Sequence, residues 1–154
     1  MLLGFTLYVT LRAVDELTAR LAMFFRIGES IAGAAGMMFA FARLRSIIDA
    51  NELLAGFARS AGNASYNISA LFFSIGSILF FCLFSRSAII PRALSIFGIA
   101  ASLLVPIICL GDLIFPEVSA KLQYGWAPMA IAEVVTGIWL MVAPRIPSGD
   151  VDAA

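Results

Sequence analysis

Histidine is missing from all 154 residues. Its absence removes the side chain that most often serves as a general base and as a metal ligand. No Ser-His-Asp set for acyl transfer can be assembled without it. Charge is scarce as well. Only 13% of residues are Asp, Glu, Lys or Arg, and ten bases balance ten acids. Zero net charge gives no basic footprint of the kind nucleic acid requires. The two cysteines, Cys82 and Cys109, lie inside apolar segments without metal-site spacing, and they read as buried structural thiols. No HExxH, paired-aspartate or glycine-rich phosphate motif occurs, and there is no internal repeat or low-complexity tract. The expectation is a chain that uses no cofactor and no metal and is not an enzyme.

Apolar sequence is what the chain has in excess. Hydrophobic residues make up 62% of it, with a mean hydropathy of +1.00. Soluble domains are nearer half apolar and one quarter charged. The excess arrives in blocks of about 17–25 residues, the length that crosses hydrocarbon as a helix. The fold class expected is all-α: a polytopic transmembrane helical bundle with four full spans and a partial first helix. Helices are predicted at about 1–13, 17–44, 66–85, 92–115 and 127–143, in one transmembrane domain over 1–143. The first is too short to span alone. Arg12 follows its apolar run rather than preceding it, unlike a secretory signal. It reads as the back half of a spanning helix.

The stretch from Leu21 to Arg43 organises the rest. At 100° per residue, Ala22, Arg26, Glu29, Gly33, Gly36, Met37 and Ala40 share one face. Phe24, Ile27, Ile31, Ala35, Met38 and Ala42 share the opposite one. Small residues let another backbone approach closely in a membrane, so the first face is predicted to pack and the second to meet lipid. Arg26 and Glu29 are one turn apart and can pair. Either charge alone near the bilayer centre costs about 2.5–3.5 kcal/mol on insertion scales. Asp15 and Glu16 suit the start of this helix, where the dipole favours acids.

The only long polar connection, around residues 46–59, alternates charges with Ile47, Ile48, Leu53, Leu54 and Phe57 and is predicted as a short amphipathic interfacial helix. Ser60–Asn63 should end it with a turn. In the next span Asn67, Ala70, Ser74 and Ser77 fall on one face, with Phe72 and Phe73 largely off it; the polar members are weaker site candidates. Pro91 suits the first turn of the fourth segment. That segment places Gly98, Ala101, Val105, Ile108 and Asp112 on a face, with Ser95, Ser102 and Cys109 beside it. Its interior Pro106 should kink the helix and leave a carbonyl for a neighbouring hydroxyl to satisfy. Asp112, near the far end, reads as an interfacial or capping residue, and as a weaker site candidate. Tyr124 and Trp126 suit an interfacial aromatic belt. The last span carries Glu133 near its middle, flanked on one face by Ala130 and Gly137. Residues 144–154 read as a disordered tail.

With four full spans, successive loops alternate sides. One side collects Arg12, Arg20, Arg86, Arg92 and Arg145, the other Arg43, Arg45, Arg59 and Lys121. The surplus places the C-terminus in the cytoplasm, for a multi-pass protein of the inner membrane.

Three stretches, LYVTLRAVDELTARLAMFFRIGES, LFSRSAIIPRALSIFGIAASLL and MAIAEVVTGIWLMV, together resemble the uncharacterised bacterial membrane family numbered 4386 among the domains of unknown function. The motifs that carry the likeness are Arg26 and Glu29 three apart in one helix, the short loop from Arg86 to Arg92, and Glu133 ahead of Trp139. The resemblance implies a helical membrane fold and no established activity. It also implies more transmembrane sequence at the front than this chain has, and a histidine where this chain has Asn67.

Two readings of the charges follow. Arg26, Glu29 and Glu133 form a cluster if the second and last spans sit side by side. One arginine between two carboxylates leaves an excess negative charge, which calls for a proton, a cation or a ligand. The cluster is then either a pin that fixes helix register or a functional site. The function expected is a non-enzymatic helical-bundle subunit or a lipid- or small-ligand-binding module; the alternative is a proton- or ion-coupled transporter using that cluster. Membrane lipid, a second copy or another membrane protein are the partners expected, and nucleic acid is not.

Overall fold

The structure is a computed structural model that describes residues 2–87, 89–114 and 123–142. Residues 144–154, Lys121 and Arg145 lie outside the described residues, so the tail and two of the loop charges stay as sequence expectations. Every element is helical: α1 (Leu2–Leu11), α2 (Glu16–Ile48), α3 (Glu52–Ser87), α4 (Arg92–Ile114), a 3₁₀ turn (Gln123–Trp126) and α5 (Ala127–Val142). Among the described residues there is no strand. Four helices are long and apolar enough to cross a membrane, and α1 is shorter. The chain is an all-α, multi-span membrane protein.

Sequence-local signals set the helix ends. Asp15 caps α2, its carboxylate accepting from the Thr18 backbone N–H at 3.2 Å and from the Thr18 hydroxyl at 2.7 Å. Those two hydrogen bonds hold the Asp15 carboxyl below its ordinary pKa. Glu16 pairs with Arg20 one turn on. Pro91 lies just before α4, where its carbonyl accepts from the N–H groups of Leu94 and Ser95.

The polar connection departs from expectation. Residues 46–59 are not a separate interfacial helix, and Ser60–Asn63 do not form a turn. α2 runs on to Ile48, the chain reverses within Asp49–Asn51, and α3 continues unbroken from Glu52 to Ser87. The reversal is capped on both sides. Ala50 takes a left-handed φ of 53°. The Asn51 N–H donates to the Ser46 carbonyl and the Ala50 N–H to that of Ile47, which closes α2 in a Schellman pattern. The Asn51 side chain then accepts from the Leu54 N–H at 3.1 Å and caps α3. Ser60, Gly62 and Asn63 stay helical because α2 lies alongside. A methyl placed on Gly62 would stand 3.6 Å from the Phe39 Cβ. At this level small residues serve interhelical contact rather than a turn.

At about 1.5 Å per residue, α2 and α3 are some 50 and 54 Å long, against a hydrocarbon layer of about 30 Å. α4 packs antiparallel on α3, with the Ser74 hydroxyl on the Ser102 carbonyl and Gly98 against Phe81. Counting along both helices, α4 ends level with about residues 62–65 of α3. Gly36 faces Ser65 and Phe39 faces Gly62, so that level meets α2 at about residues 36–39. Beyond it no other described helix accompanies the α2–α3 hairpin.

The core lies between α3 and α4 and is sealed by α1 and α5. The buried cluster takes Ala70, Phe80, Phe81, Leu83 and Phe84 from α3 and Ala101, Val105 and Cys109 from α4, with Leu11 and Met129 added from the flanks. The predicted buried face of α4 is observed. Pro106 remains inside the helix. It cannot bond the Ser102 carbonyl four residues back. The Ser74 hydroxyl does so instead, at 2.7 Å, from the neighbouring helix. On α2 the predicted lipid face is open, with Phe24, Ile31 and Met38 at 58%, 64% and 72% exposure. On α5 the phase differs from expectation. Met129, Ala132 and Thr136 are its buried residues, with the Met129 sulfur accepting from the Ser102 hydroxyl of α4, whereas Glu133 is half-buried and Ala130 is exposed.

Candidate functional site: an arginine between two carboxylates

Arg26 is ten residues into α2, about 15 Å from its start and so near mid-membrane. The residue is 8% exposed. One nitrogen donates to Glu29 Oε2 and the other to Glu133 Oε1, each at 2.9 Å. The fork geometry of a guanidinium suits two carboxylates at once, and charge-assisted bonds of this length are the strong kind. The cluster expected from helical phase is therefore assembled. Glu29 is the better covered of the two acids, its side chain 28% exposed against 37% for Glu133.

Two other elements, α3 and α1, shelter the guanidinium. Phe73 of α3 presents its ring face, with the Arg26 Cζ 4.6 Å from the centroid. Gly76 of α3 leaves room for the arginine stem, since a methyl there would stand 3.4 Å from the Arg26 Cδ. Gly4 of α1 does the same from the other side, where a methyl would meet the Arg26 Cβ at 2.9 Å. Ser69 donates to the Glu29 carbonyl at 3.0 Å and ties α3 to α2 one turn further on.

The backbones of α2 and α5 do not touch. Among the described residues no Cα of α5 comes within 8 Å of α2 or α3. Side chains bridge the gap: Glu133 reaches Arg26, and the Trp139 indole N–H donates to the Ile89 carbonyl at 3.2 Å. Between the helices lies a cavity of about 100 Å³. Arg26, Glu133, Ser77 and Thr136 give it polar groups, and Leu3, Leu7, Phe80, Phe84 and Leu140 give it apolar wall. Ser77 is 3% exposed and Thr136 7%, and among the described residues neither hydroxyl has a hydrogen-bond partner.

Of the weaker candidates, Ser77 joins this site. Ser74 belongs to the α3–α4 interface described above. Asn67 and Asp112 are half-buried and stand apart from the cluster. Sequence reasoning missed three contributors. Phe73 had been set off the packing face, yet it covers Arg26 and also stacks on Trp126 at 6.0 Å. Thr136 lies one turn after Glu133, and that spacing was a usable signal. Gly4 had none, because α1 has no strong face. Among the described residues no group of three or more Cys, Asp or Glu side chains converges as a metal set.

Membrane-length helices, a buried ion cluster at mid-span and an apolar cavity beside it define a polytopic helical membrane protein. The chain belongs to the family described as Domain of unknown function (DUF4386), which it matches over residues 1–143. No curated protein and no solved structure matches it.

Proposed function

We propose that this protein is a non-enzymatic membrane module that binds a small amphiphile, a lipid or a lipid-like molecule, in the cavity beside Arg26 and Glu133. The carrying observation is the pair of buried, unpartnered hydroxyls, Ser77 and Thr136, that line the same cavity as the ion pair. A buried polar group left unsatisfied costs about 1–3 kcal/mol. A ligand with a short hydrogen-bonding head removes that cost, and its apolar body fits the leucine and phenylalanine wall. Gly137 lines the cavity too, with open space around it. The test is photocrosslinking of a diazirine-bearing monoacyl lipid to the full chain in liposomes. Gly137→Leu, which fills the cavity, should lower labelling by tenfold or more while the melting profile is kept. Undiminished labelling in that variant would sink the reading.

A second reading, proton- or ion-coupled transport, draws on one observation: two carboxylates share one guanidinium. It requires pH-driven flux in proteoliposomes that Glu133→Gln abolishes. On either reading we place the protein in the bacterial inner membrane with a cytoplasmic C-terminus, on the five-to-four surplus of Arg and Lys in the loops. A second copy or another membrane protein would pack on the open face of α2.

A further inference from the structure

A second cavity lies away from the ion cluster, where the α2–α3 hairpin leaves the bundle. It is larger, about 320 Å³, and opens between the two helices. Arg43 of α2 and Arg59 of α3 both line it, with Asn63 and Tyr66 on the α3 side and Gly36 and Gly62 between the helices. No lining residue is acidic. Among the described residues no carboxylate lies within the 4.0 Å of an ion pair from either arginine, although Arg20, Arg26, Arg45 and Arg86 all have one. Nor does either helix offer an acid one turn away: the neighbours of Arg43 are Phe39, Ala40, Ser46 and Ile47, and those of Arg59 are Ala55, Gly56, Gly62 and Asn63.

Depth identifies what belongs there. The last described residue of α4 stands level with Phe39 and Gly62. Arg43 is four residues beyond the first and Arg59 three beyond the second, so both stand about 5 Å past that level. The polar headgroup layer occupies roughly the 5–7 Å outside the hydrocarbon on each side. Two guanidinium groups with donors to spare, flanking a groove at headgroup depth, match an oxyanion with several acceptor oxygens. Guanidinium recognises phosphate in this way through paired N–H donors.

We infer that the Arg43–Arg59 groove is a phosphate-binding site that takes the anionic headgroup of a phospholipid. Inorganic phosphate shares the recognised chemistry, so the test carries both sources. The full chain is reconstituted in nanodiscs of one-to-four phosphatidylglycerol to phosphatidylcholine, and the lipid it retains is counted by native mass spectrometry. The wild type should enrich phosphatidylglycerol over the bulk ratio by on the order of thirty-fold, from two arginines at the membrane surface. Arg43→Gln with Arg59→Gln should return the ratio to that of bulk. Ala40→Leu keeps both arginines but fills the groove from an exposed lining position, and it should do the same. Arg45→Gln, whose arginine pairs with Asp49, should leave enrichment intact. In pure phosphatidylcholine discs, inorganic phosphate is added and the melting temperature followed. A rise there that needs both arginines, without phosphatidylglycerol enrichment, assigns the site to free phosphate. A wild type that shows neither response overturns the proposal. So does enrichment that survives in Ala40→Leu, because diffuse surface attraction would then account for it.

Discussion

Arg26 and Arg43 stand on the same helix, about 25 Å apart, and the protein treats them in opposite ways. Around Arg26 everything converges: two carboxylates at 2.9 Å, an aromatic face, and two glycines that bring neighbouring helices close. Around Arg43 no carboxylate of the described residues converges. Medium explains the difference. In hydrocarbon an unpaired guanidinium has no solvent to fall back on, so the chain supplies its partners internally. At headgroup depth, water and lipid phosphates supply them. An arginine without an acid is an error at one level and an available site at the other. Packing follows the same division. The inner part of the hairpin lies against α1 and α4, and among the described helices the outer part has only its twin.

Three substitutions probe this contrast. The largest effect is expected at the centre. Arg26→Gln leaves two carboxylates facing each other in the membrane, and it should destabilise the protein by about 3–5 kcal/mol, the scale for breaking a buried pair from one side. Unfolding in detergent measures it. Adding Glu29→Gln and Glu133→Gln to Arg26→Gln should restore most of the loss. If the triple variant is as weak as the single, charge compensation is not what holds the cluster. A smaller effect is expected where α3 meets α4. Ser74→Ala should cost about 0.5–2 kcal/mol, because it strips the carbonyl that Pro106 leaves free. In a Pro106→Ala background the same change should cost almost nothing. A double-mutant cycle with zero coupling would show that Ser74 and Pro106 act independently. The smallest effect belongs to the outer tip. Ala50→Gly should stabilise by about 0.4–1 kcal/mol, since glycine takes the left-handed conformation without a Cβ penalty. A loss of stability there would mean that the tip is not held as a capped reversal.

The inner part of this contrast was readable from sequence, and the outer part was not. Arg26, Glu29 and Glu133 could be matched because charge inside an apolar run restricts the partners available, and helical phase does the rest. The buried stripes of α3 and α4 followed from the same periodicity, down to the hydroxyl needed beside Pro106. The continuity of α3 through Ser60, Gly62 and Asn63 was not legible. Those residue types mark turns where water can serve the backbone, and only the presence of α2 alongside makes them a packing surface. The same misreading concealed the groove, because a hairpin that stops at the membrane would not place Arg43 opposite Arg59. Phe73 was missed for another reason. Aromatic rings in a span read as lipid-facing until a buried cation is known to lie under one. The family match extends over residues 1–143 and so covers both halves, but it assigns a role to neither.

The span of 107 positions between Arg26 and Glu133 also carries a consequence for biosynthesis. Arg26 and Glu29 leave the ribosome almost together, and they can enter the membrane as a self-neutral unit. Glu133 follows roughly 5–20 s later at ordinary elongation rates. During that interval the second donor edge of the guanidinium has no acid to meet. When α5 inserts, its carboxylate has no basic companion on its own helix, and Arg26 is the partner that it meets. α5, made after the other described helices, is thus the one whose arrival completes the ion cluster at Arg26.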